Sequence, residues 1–406
     1  MLRSLLATVL LAAVAGDWPG FRGDGTSLTT LKDLPLQWGD EQNIAWQTAL
    51  DGYGQSSPVV WGDRVFVTSI KGESKERCLV ACYGLKDGKR LWQADNAAAV
   101  QIKDSDYVSR GAPTPVVDAD GCYAFFESGD VFAFDHSGKQ LWHRNLTPEY
   151  GEYKGNHGLG GSLAQSGDKL LVVIDHDGPS FLLALDKKSG ANRWKVERPS
   201  KISWSSPVVA PVSADNKAGD AAEVIVNAKG SVEAYDVADG ALRWSFGDLD
   251  GNTVASPTVS AKHIIVGSSD VGKSVAIGRG GKGTLADSDI AWRLKEAAAS
   301  FSSPLAYEGR VYFVNKSGGA TCVEEETGKT LWSERLGSCW ASPIGAAGRV
   351  YFFGKDGATK VVAAADKFEL LAENILKIDG RLYGAAAVPG AFVLRTGQKL
   401  ICVGRP

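Results

Sequence analysis

The stretch VFAFDHSGKQLW, residues 131–142, indicates the fold because close copies of it recur along the chain. Each copy has an apolar strand, a turn that ends in Gly and a second strand that ends in Trp. Further copies read VACYGLKDGKRLW (80–92), LLALDKKSGANRW (182–194), VEAYDVADGALRW (232–244) and ATCVEEETGKTLW (320–332). Short alternating runs on either side of a Gly turn are typical of β-hairpins.

The Trp residues at the ends of these copies set the period of the chain. Two more copies keep only the closing strand, QNIAWQ and SDIAWR, and an eighth copy, KFELLAEN near Leu371, has lost its Trp. The Trp positions are Trp46, Trp92, Trp142, Trp194, Trp244, Trp292 and Trp332, which are separated by 40 to 52 residues. A repeat of this length indicates an array of similar units.

A second repeated element follows each Trp: a small residue, Ser or Thr, Pro, and then an apolar strand. It occurs at Pro58, Pro115, Pro207, Pro257, Pro304 and Pro343, and without proline near Ser162 and Ala386. A Gly turn and another strand come next, so each unit holds four short strands. Four-stranded units of this size predict the blades of a β-propeller, which bury their faces against one another.

The two ends of the chain are predicted to share one blade. The last blade has only three strands at the C-terminus, near 382–388, 391–395 and 398–403. The early stretch 43–48 supplies its fourth strand, and this pairing removes a free edge. The sequence therefore predicts an all-β chain with a single eight-bladed propeller of four-stranded antiparallel blades over 41–406, after an N-terminal extension at 16–40. Seven blades, with one degenerate copy, is the alternative.

Residues 1–15 have the pattern of a secretory signal, with Arg3 before an apolar run and the small residues Ala13-Val14-Ala15 at its end. No Cys follows, so a lipid anchor is not expected, and no later apolar run is long enough to span a membrane. The net charge is −3 and no Lys/Arg stripe occurs, which argues against nucleic-acid binding. We expect a secreted monomer, periplasmic or extracellular.

The six cysteines fit neither a zinc site nor a haem attachment site by their spacing. Cys82 and Cys322 stand where other repeats carry Ala133, Ala184 and Ala234, which predicts small, inward-facing strand positions. Buried free thiols are therefore expected, although export would permit disulfides such as Cys78–Cys82.

The blades resemble the quinoprotein-type (PQQ-like) propeller repeats, through their TG.LW and SP elements, over roughly residues 40–404. Proteins with such repeats include dehydrogenases that bind pyrroloquinoline quinone and the BamB-like, non-enzymatic propeller of outer-membrane barrel assembly. The segment DWPGFRGDG, 17–25, also resembles the WPxFRG opening of a group of secreted bacterial propellers.

The residues that the resemblance to the dehydrogenases requires are not found. Those enzymes carry adjacent, disulfide-linked cysteines, an Asp base and a Ca²⁺ site, and this sequence has no Cys-Cys pair and no C-x-x-C-H. We therefore expect no cofactor, no metal and no catalytic residues. Two metal- or phosphate-like stretches are interpreted as turns: Asp175-His176-Asp177-Gly178 between strands, and GRGGKG, 278–283, as a hairpin loop.

Positions counted back from each SP proline should converge at one mouth of the central channel. Three of them are aromatic, and polar groups fall nearby by the same count. The candidate binding residues are Tyr53, Gln55, Arg110, His157, Trp204, Asn252, Phe301, Trp340 and Tyr383. Aromatic platforms with a few polar groups are typical of binding sites. The alternatives are that these side chains fill the channel and that His157 is a loop residue bonded to backbone.

The leading functional hypothesis is a non-catalytic, extracytoplasmic binding or scaffold propeller that presents its loops or channel mouth to a protein or peptide, with a possible BamB-like role in envelope assembly. The alternative is a binder of a small molecule or glycan, or a relative of the quinone-dependent dehydrogenases.

Overall fold

The computed structural model describes residues 16–103, 109–155, 157–199, 201–212, 221–251 and 253–406. These residues form eight sheets, and in each sheet four antiparallel strands lie side by side. The prediction of an eight-bladed β-propeller is confirmed, and the seven-bladed alternative is wrong. The signal-sequence prediction for 1–15 falls outside the described residues.

Blades 1 to 4 follow one another along the chain, and each runs from the innermost strand to the outermost. Blade 1 comprises Val59–Trp61, Arg64–Lys71, Arg77–Gly84 and Arg90–Ala97. Blade 2 comprises Val116–Val117, Cys122–Phe125, Asp130–Phe134 and Gln140–Asn145. Blade 3 comprises Ala164–Ser166, Lys169–Ile174, Ser180–Asp186 and Asn192–Arg198. Blade 4 comprises Val208–Pro211, Ala222–Ala228, Gly230–Asp236 and Leu242–Leu249.

Blades 5 to 8 complete the ring in the same order. Blade 5 comprises Thr258–Val259, His263–Val266, Ser274–Gly278 and Ile290–Leu294. Blade 6 comprises Leu305–Tyr307, Arg310–Val314, Gly319–Glu324 and Thr330–Arg335. Blade 7 comprises Ile344–Ala346, Arg349–Phe353, Ala358–Ala363 and Leu370–Ile375. Blade 8 comprises Leu382–Val388, Ala391–Thr396, Lys399–Gly404 and the early strand Ile44–Ala49.

The pairing of Ile44–Ala49 with Lys399–Gly404 confirms the predicted closure of the ring. Two short helical elements lie outside the blades in the described residues, an α-helix at Thr147–Tyr150 and a 3₁₀ helix at Asp287–Asp289. No helix in the described part of the chain is long and apolar enough to cross a membrane.

The repeated Trp and Gly join one blade to the next. The Trp142 indole N–H donates to the backbone oxygen of Lys187 in the next blade at 2.7 Å. Gly190, in the turn of that next blade, has a φ of +69°, and an added Cβ would lie 2.8 Å from the Trp142 ring. This glycine is therefore required twice, for a conformation that L side chains avoid and for contact with the indole.

The contact between blades 4 and 5 departs from this pattern. Trp244 donates instead to Glu223 of its own blade at 3.0 Å. A fifth strand, Gly283–Thr284, pairs in parallel with Leu242–Leu249 and covers the outer edge of blade 4. The interpretation of GRGGKG as only a hairpin loop is thus wrong at both ends, because Gly278 ends a strand of blade 5 and Gly283 begins this fifth strand.

Blade 7, which has no Trp, compensates locally. Ala372 takes the Trp position and faces Val361, where the other blades pair Trp with Ala or Cys. A larger residue on one strand therefore fills the volume that the smaller one leaves on the other.

The Ser or Thr of the SP element binds each blade to its neighbour around the channel. Its backbone N–H donates to the hydroxyl of the equivalent residue one blade further on, at 2.8 to 3.0 Å. The chain of contacts runs through Ser57, Thr114, Ser162, Ser206, Ser256, Ser303 and Ser342. Blade 8 carries Ala385 at this position, so the hydroxyl series ends there.

The N-terminal extension, 16–40, crosses the end of the channel opposite the SP elements. Trp18 exchanges two backbone hydrogen bonds of 2.8 Å with Val60 of blade 1, and Arg22 reaches across the ring to the Thr258 hydroxyl of blade 5 at 2.7 Å. Further along, the Thr29 N–H donates to Gly345 of blade 7. Because Trp18 and Arg22 are almost fully buried, this segment closes one end of the channel.

All six cysteines are free and buried, as predicted for small strand positions. Cys82 and Cys322 lie directly across from Trp92 and Trp332 in their sheets. Burial raises the pKa of Cys322 to about 12, which favours the neutral thiol.

Candidate functional site: the open mouth of the channel

The open mouth is formed by the segments that lead from the outer strand of one blade to the inner strand of the next. Since each segment ends at an SP element, its last residues lie at the start of an inner strand, beside the channel. Seven of the nine candidate residues lie on these segments, and Tyr383 lies at the start of the inner strand of blade 8. Asn252 lies outside the described residues.

Four of the candidate aromatic residues form a continuous arc across blades 6, 7, 8 and 1. Phe301 and Trp340 stack with ring centroids 4.8 Å apart, and Trp340 contacts Tyr383 edge-on at 5.6 Å. The hydroxyls of Tyr383 and Tyr53 are 2.6 Å apart. Burial and this hydrogen bond raise the pKa of Tyr53, so its phenol stays neutral at physiological pH. We call Phe301, Trp340, Tyr383 and Tyr53 the aromatic arc.

The arc continues into blade 2 through Arg110, whose guanidinium carbon lies 4.9 Å from the centre of the Tyr53 ring. Gln55 holds this loop in place, because its side-chain oxygen accepts the Arg110 N–H at 3.0 Å. Both oxygens of the buried Glu127 accept the N–H of Gly111, and Glu127 is itself paired with the buried Lys75 at 3.1 Å. Arg110 is thus held by a rigid backbone.

His157 and Trp204 form a separate contact on the side of blades 3 and 4, with ring centroids 5.6 Å apart. The Trp204 indole N–H donates to the Gly158 oxygen at 2.9 Å, and the His157 oxygen accepts the Ser109 N–H. The structure therefore brings the candidates together as two groups, the larger around the aromatic arc and the smaller around Trp204. Their role in binding stays a prediction.

A group of buried charges lies between blades 3 and 4. Arg198 binds Asp175 through two hydrogen bonds of 2.8 and 3.0 Å and also contacts Glu233, whose second oxygen accepts the Ser231 hydroxyl at 2.9 Å. Burial opposes ionisation of Glu233, but Arg198 and the neighbouring hydroxyls hold its pKa below the usual range. We call Asp175, Arg198 and Glu233 the paired sector.

The first residue of the stretch Asp175-His176-Asp177-Gly178 belongs to the paired sector. This stretch forms the turn between the second and third strands of blade 3, as predicted. His176 accepts the Lys154 N–H at its Nδ1 at 2.8 Å, and its Nε2 lies 2.9 Å from the Pro179 oxygen. Among the described residues, no group of three His, Cys, Asp or Glu side chains is placed to hold a metal ion.

A second set of charges at the mouth was missed in the sequence. Arg381 lies with its guanidinium carbon 4.7 Å from the centre of the Trp340 ring. The Lys316 N–H donates to Ser300 at 2.9 Å, and the Lys355 N–H donates to Ser338 at 2.8 Å, so both lysines flank the arc. Arg335 donates to the oxygen of Ser317, beside Lys316. We call Lys316, Arg335, Lys355 and Arg381 the basic sector.

A repeated signal could have revealed two of these residues. The turns between the second and third strands of blades 4, 6 and 7 read NAKG (227–230), NKSG (315–318) and GKDG (354–357). Each places a Lys in the turn, and contacts in blades 6 and 7 place that turn beside the mouth. Arg381 follows no repeat, because blade 8 departs from the SP pattern.

Arg395 lies beneath the aromatic arc and is completely buried. It donates to the hydroxyls of Ser56 and Ser69 at 3.1 and 3.0 Å, and Gly54 leaves room for it, because a side chain there would collide with the guanidinium. Burial lowers the pKa of Arg395 to about 9, so it is still a cation at neutral pH.

The chain matches a known family over most of its length. A model of the family described as outer membrane protein assembly factor BamB matches residues 15–154 and 128–367. The chain belongs to this family. Its PQQ-like repeats are therefore those of a BamB-like propeller, as the sequence predicted.

Individual relatives of the BamB family are distant and match in part. The BamB of Alkalilimnicola ehrlichii is 28% identical over 157 residues, which cover 38% of this chain and 36% of the relative. The BamB of Shewanella oneidensis is 27% identical over 259 residues, with 60% and 61% covered. The chain thus spans less than two thirds of the length of the BamB relatives that it matches.

Solved structures share the fold. The BamB of Moraxella catarrhalis superposes with a TM-score of 0.62 at 17% identity, covering 89% of this chain and 97% of that one. A quinohemoprotein alcohol dehydrogenase from Comamonas testosteroni gives 0.66 at 14% identity, covering 97% and 81%. Because an assembly factor and a dehydrogenase superpose about equally well, the function has to be argued from the site.

Proposed function

We propose that the chain is a non-catalytic, extracytoplasmic binding propeller that acts in the assembly of outer-membrane proteins and docks a protein partner at its open mouth. The observation that carries the proposal is the aromatic arc, in which Phe301, Trp340 and Tyr53 remain partly exposed on a rigid ring of blades. Partly exposed aromatic side chains in a fixed arrangement are typical centres of protein interfaces.

The two ends of the channel support a role for one face. The extension that contains Trp18 and Arg22 closes the far end, so a partner has access to the channel from the mouth. The SP hydroxyl series fixes the blades to one another, and rigid scaffolds that present loops are suited to recognition. The family name, outer membrane protein assembly factor, supports assembly as the process.

A quinone with its calcium ion does not suit the donors that the described residues offer. Calcium takes six to eight oxygen ligands, with carboxylates among them. The buried carboxylates near the mouth are already bound, Glu127 to Lys75 and the Gly111 N–H, and Asp175 and Glu233 to Arg198. We therefore propose that the protein works without this cofactor and derive no redox step.

Site-specific photo-cross-linking in cells of the source organism tests the proposal. A benzoylphenylalanine at position 340 samples the mouth, and one at position 242 is the matched control, because Leu242 is 57% exposed on the outer strand of blade 4. We expect position 340 to cross-link a component or substrate of outer-membrane protein assembly, identified by mass spectrometry, and position 242 to give no such product.

Calorimetric titration of the purified chain with pyrroloquinoline quinone and Ca²⁺ supplies the opposing arm. No saturable heat is the expected result. Saturable binding of the quinone, or cross-links from position 242 that equal those from position 340, would overturn the proposal.

A further inference from the structure

The basic sector consists of four exposed cations around the stacked pair Phe301 and Trp340. Within the part of the chain that the structure describes, none of the four forms an ion pair with a carboxylate. Other surface cations of the molecule do form such pairs, as Arg310 does with Asp366 and Lys399 does with Asp379. The cations of the basic sector are Lys316, Arg335, Lys355 and Arg381.

Contacts within the protein fix the orientation of the Arg381 guanidinium and the position of the turn that carries Lys355. Arg381 lies over Trp340, which also stacks against Phe301 at 4.8 Å, so the ring and the guanidinium are held in layers. The Lys355 backbone oxygen accepts the N–H of Leu382, which ties the blade 7 turn to the segment that carries Arg381. A guanidinium stacked on an aromatic ring keeps its N–H groups free and its plane fixed, which suits bidentate contact with a carboxylate.

Arg395 adds a positive charge from below. It is buried beneath Tyr53 and Tyr383, and the partners that the structure gives it are hydroxyls and a backbone oxygen, all neutral. A buried charge is weakly screened by salt and water, so its field extends into the mouth.

We propose that the basic sector and the aromatic arc together bind an acidic, aromatic-containing segment of the partner protein, with Arg381 and Lys355 contacting its carboxylates and the arc contacting its apolar side chains. This inference rests on the proposed function, since it names the chemistry of the partner that the mouth receives.

Carboxylates on a peptide fit the arrangement better than a nucleic-acid backbone does. Single-stranded nucleic acid is bound along a groove of cations several nucleotides long. The basic sector is confined to blades 6 to 8, and across the mouth Arg198 is bound by two carboxylates, so it does not extend a groove of cations.

Fluorescence polarisation with synthetic peptides tests the inference directly. The probe is a labelled octapeptide with an amidated C-terminus that contains Asp and Phe residues in alternation. Two matched peptides replace every Asp by Asn, one with an amidated C-terminus and one with a free carboxylate. We expect saturable binding of the acidic probe that weakens about tenfold or more when Asn replaces Asp, and that weakens with added NaCl.

Variants assign the binding to the basic sector. Arg381→Gln and Lys355→Gln should each weaken binding of the acidic probe by about five- to tenfold, the effect of one charge-assisted contact. Arg381→Lys keeps the charge and loses the planar donor pair, so it should weaken binding less than Arg381→Gln. Lys89→Gln is the matched control for charge, because Lys89 is 81% exposed in the turn of blade 1 at the opposite face; it should change nothing.

The outcomes distinguish binding of Asp side chains from binding of a free C-terminus. They also distinguish failure of the acidic-segment proposal from failure of the proposed function. In one outcome, the Asn peptide with the free C-terminus binds as tightly as the acidic probe while its amidated counterpart binds weakly. That result would mean that a chain terminus is the ligand, and it would overturn the acidic-segment proposal. Equal binding of the Asp and amidated Asn peptides, or tighter binding of an oligo-dT strand, would also overturn it. If cross-links from position 340 persist in that case, the proposed function stands and only the partner chemistry is wrong.

Discussion

The paired sector and the basic sector lie on opposite sides of one mouth and use the same charged groups in different ways. In the paired sector Arg198 is buried, and two carboxylates neutralise it. In the basic sector Arg381 is exposed, stacked on Trp340 and without a carboxylate in the described residues. The ion pairs of Arg198 therefore stabilise the contact between blades 3 and 4, whereas the exposed cations on blades 6 to 8 remain available to a partner.

The cost of burial explains this division. Removing a guanidinium from water costs several kcal/mol unless an ion pair with good geometry offsets the loss. Arg198 meets that condition with its paired hydrogen bonds to Asp175, and the exposed cations of the basic sector need no such compensation. Stability and recognition can therefore be altered separately at one mouth.

The largest expected effect is on stability, from removal of the buried guanidinium. Arg198→Met leaves Asp175 and Glu233 buried without their cation, and it should lower the free energy of unfolding by about 3–5 kcal/mol. Arg381→Met is the matched change in the basic sector and should change it by less than about 0.5 kcal/mol. Urea unfolding monitored by Trp fluorescence measures both, and similar losses in the two variants would contradict the comparison.

A smaller effect is expected on binding, from truncation of the Trp on each side. Trp340→Ala removes the ring that carries Arg381 and stacks on Phe301, and it should weaken binding of the acidic peptide by about 2 kcal/mol, as at an interface hot spot. Trp204→Ala should cost less than about 1 kcal/mol, because its indole N–H is bonded within the protein and no cation of the basic sector is stacked on its ring in the described residues. Titration of both variants with the acidic peptide measures the difference, and an equal loss would show that binding spans the whole mouth.

The fold was predictable because its determinants repeat. The Trp, the turn Gly and the SP Ser recur in most blades, and most copies contact the next blade, so their spacing predicts the ring and its closure. The exceptions were not predictable. The parallel pairing of Gly283–Thr284 depends on an insertion between blades 4 and 5, and the path of residues 16–40 across the channel depends on contacts with strands distant in sequence.

The site was predictable only in part, for a related reason. Counting from the SP proline found Phe301, Trp340 and Tyr53, since these lie at fixed positions before an inner strand. It missed Arg381 and Arg395, because the charges of the side chains that contact them depend on which residues of other blades lie nearby. Spacing cannot show that Arg395 has neutral partners or that Arg198 has two carboxylates.

The smallest expected effect is on the rate at which the thiol of Cys339 is modified. Cys339 lies beside Trp340, so this rate reports whether the segment next to the basic sector is as rigid as the sheets. Cys339 is buried, and burial raises its pKa to about 12, as it does for Cys402 within blade 8. Because only the thiolate reacts, modification by a maleimide at pH 8 should be slow at both sites and should accelerate as the pH rises toward 12 instead of levelling off near 9. Saturation with the acidic peptide should slow modification of Cys339 further and leave Cys402 unchanged, as followed by mass spectrometry of the labelled peptides. Much faster modification of Cys339 in the free protein would mean that the basic sector opens locally, and its preformed geometry would then be wrong.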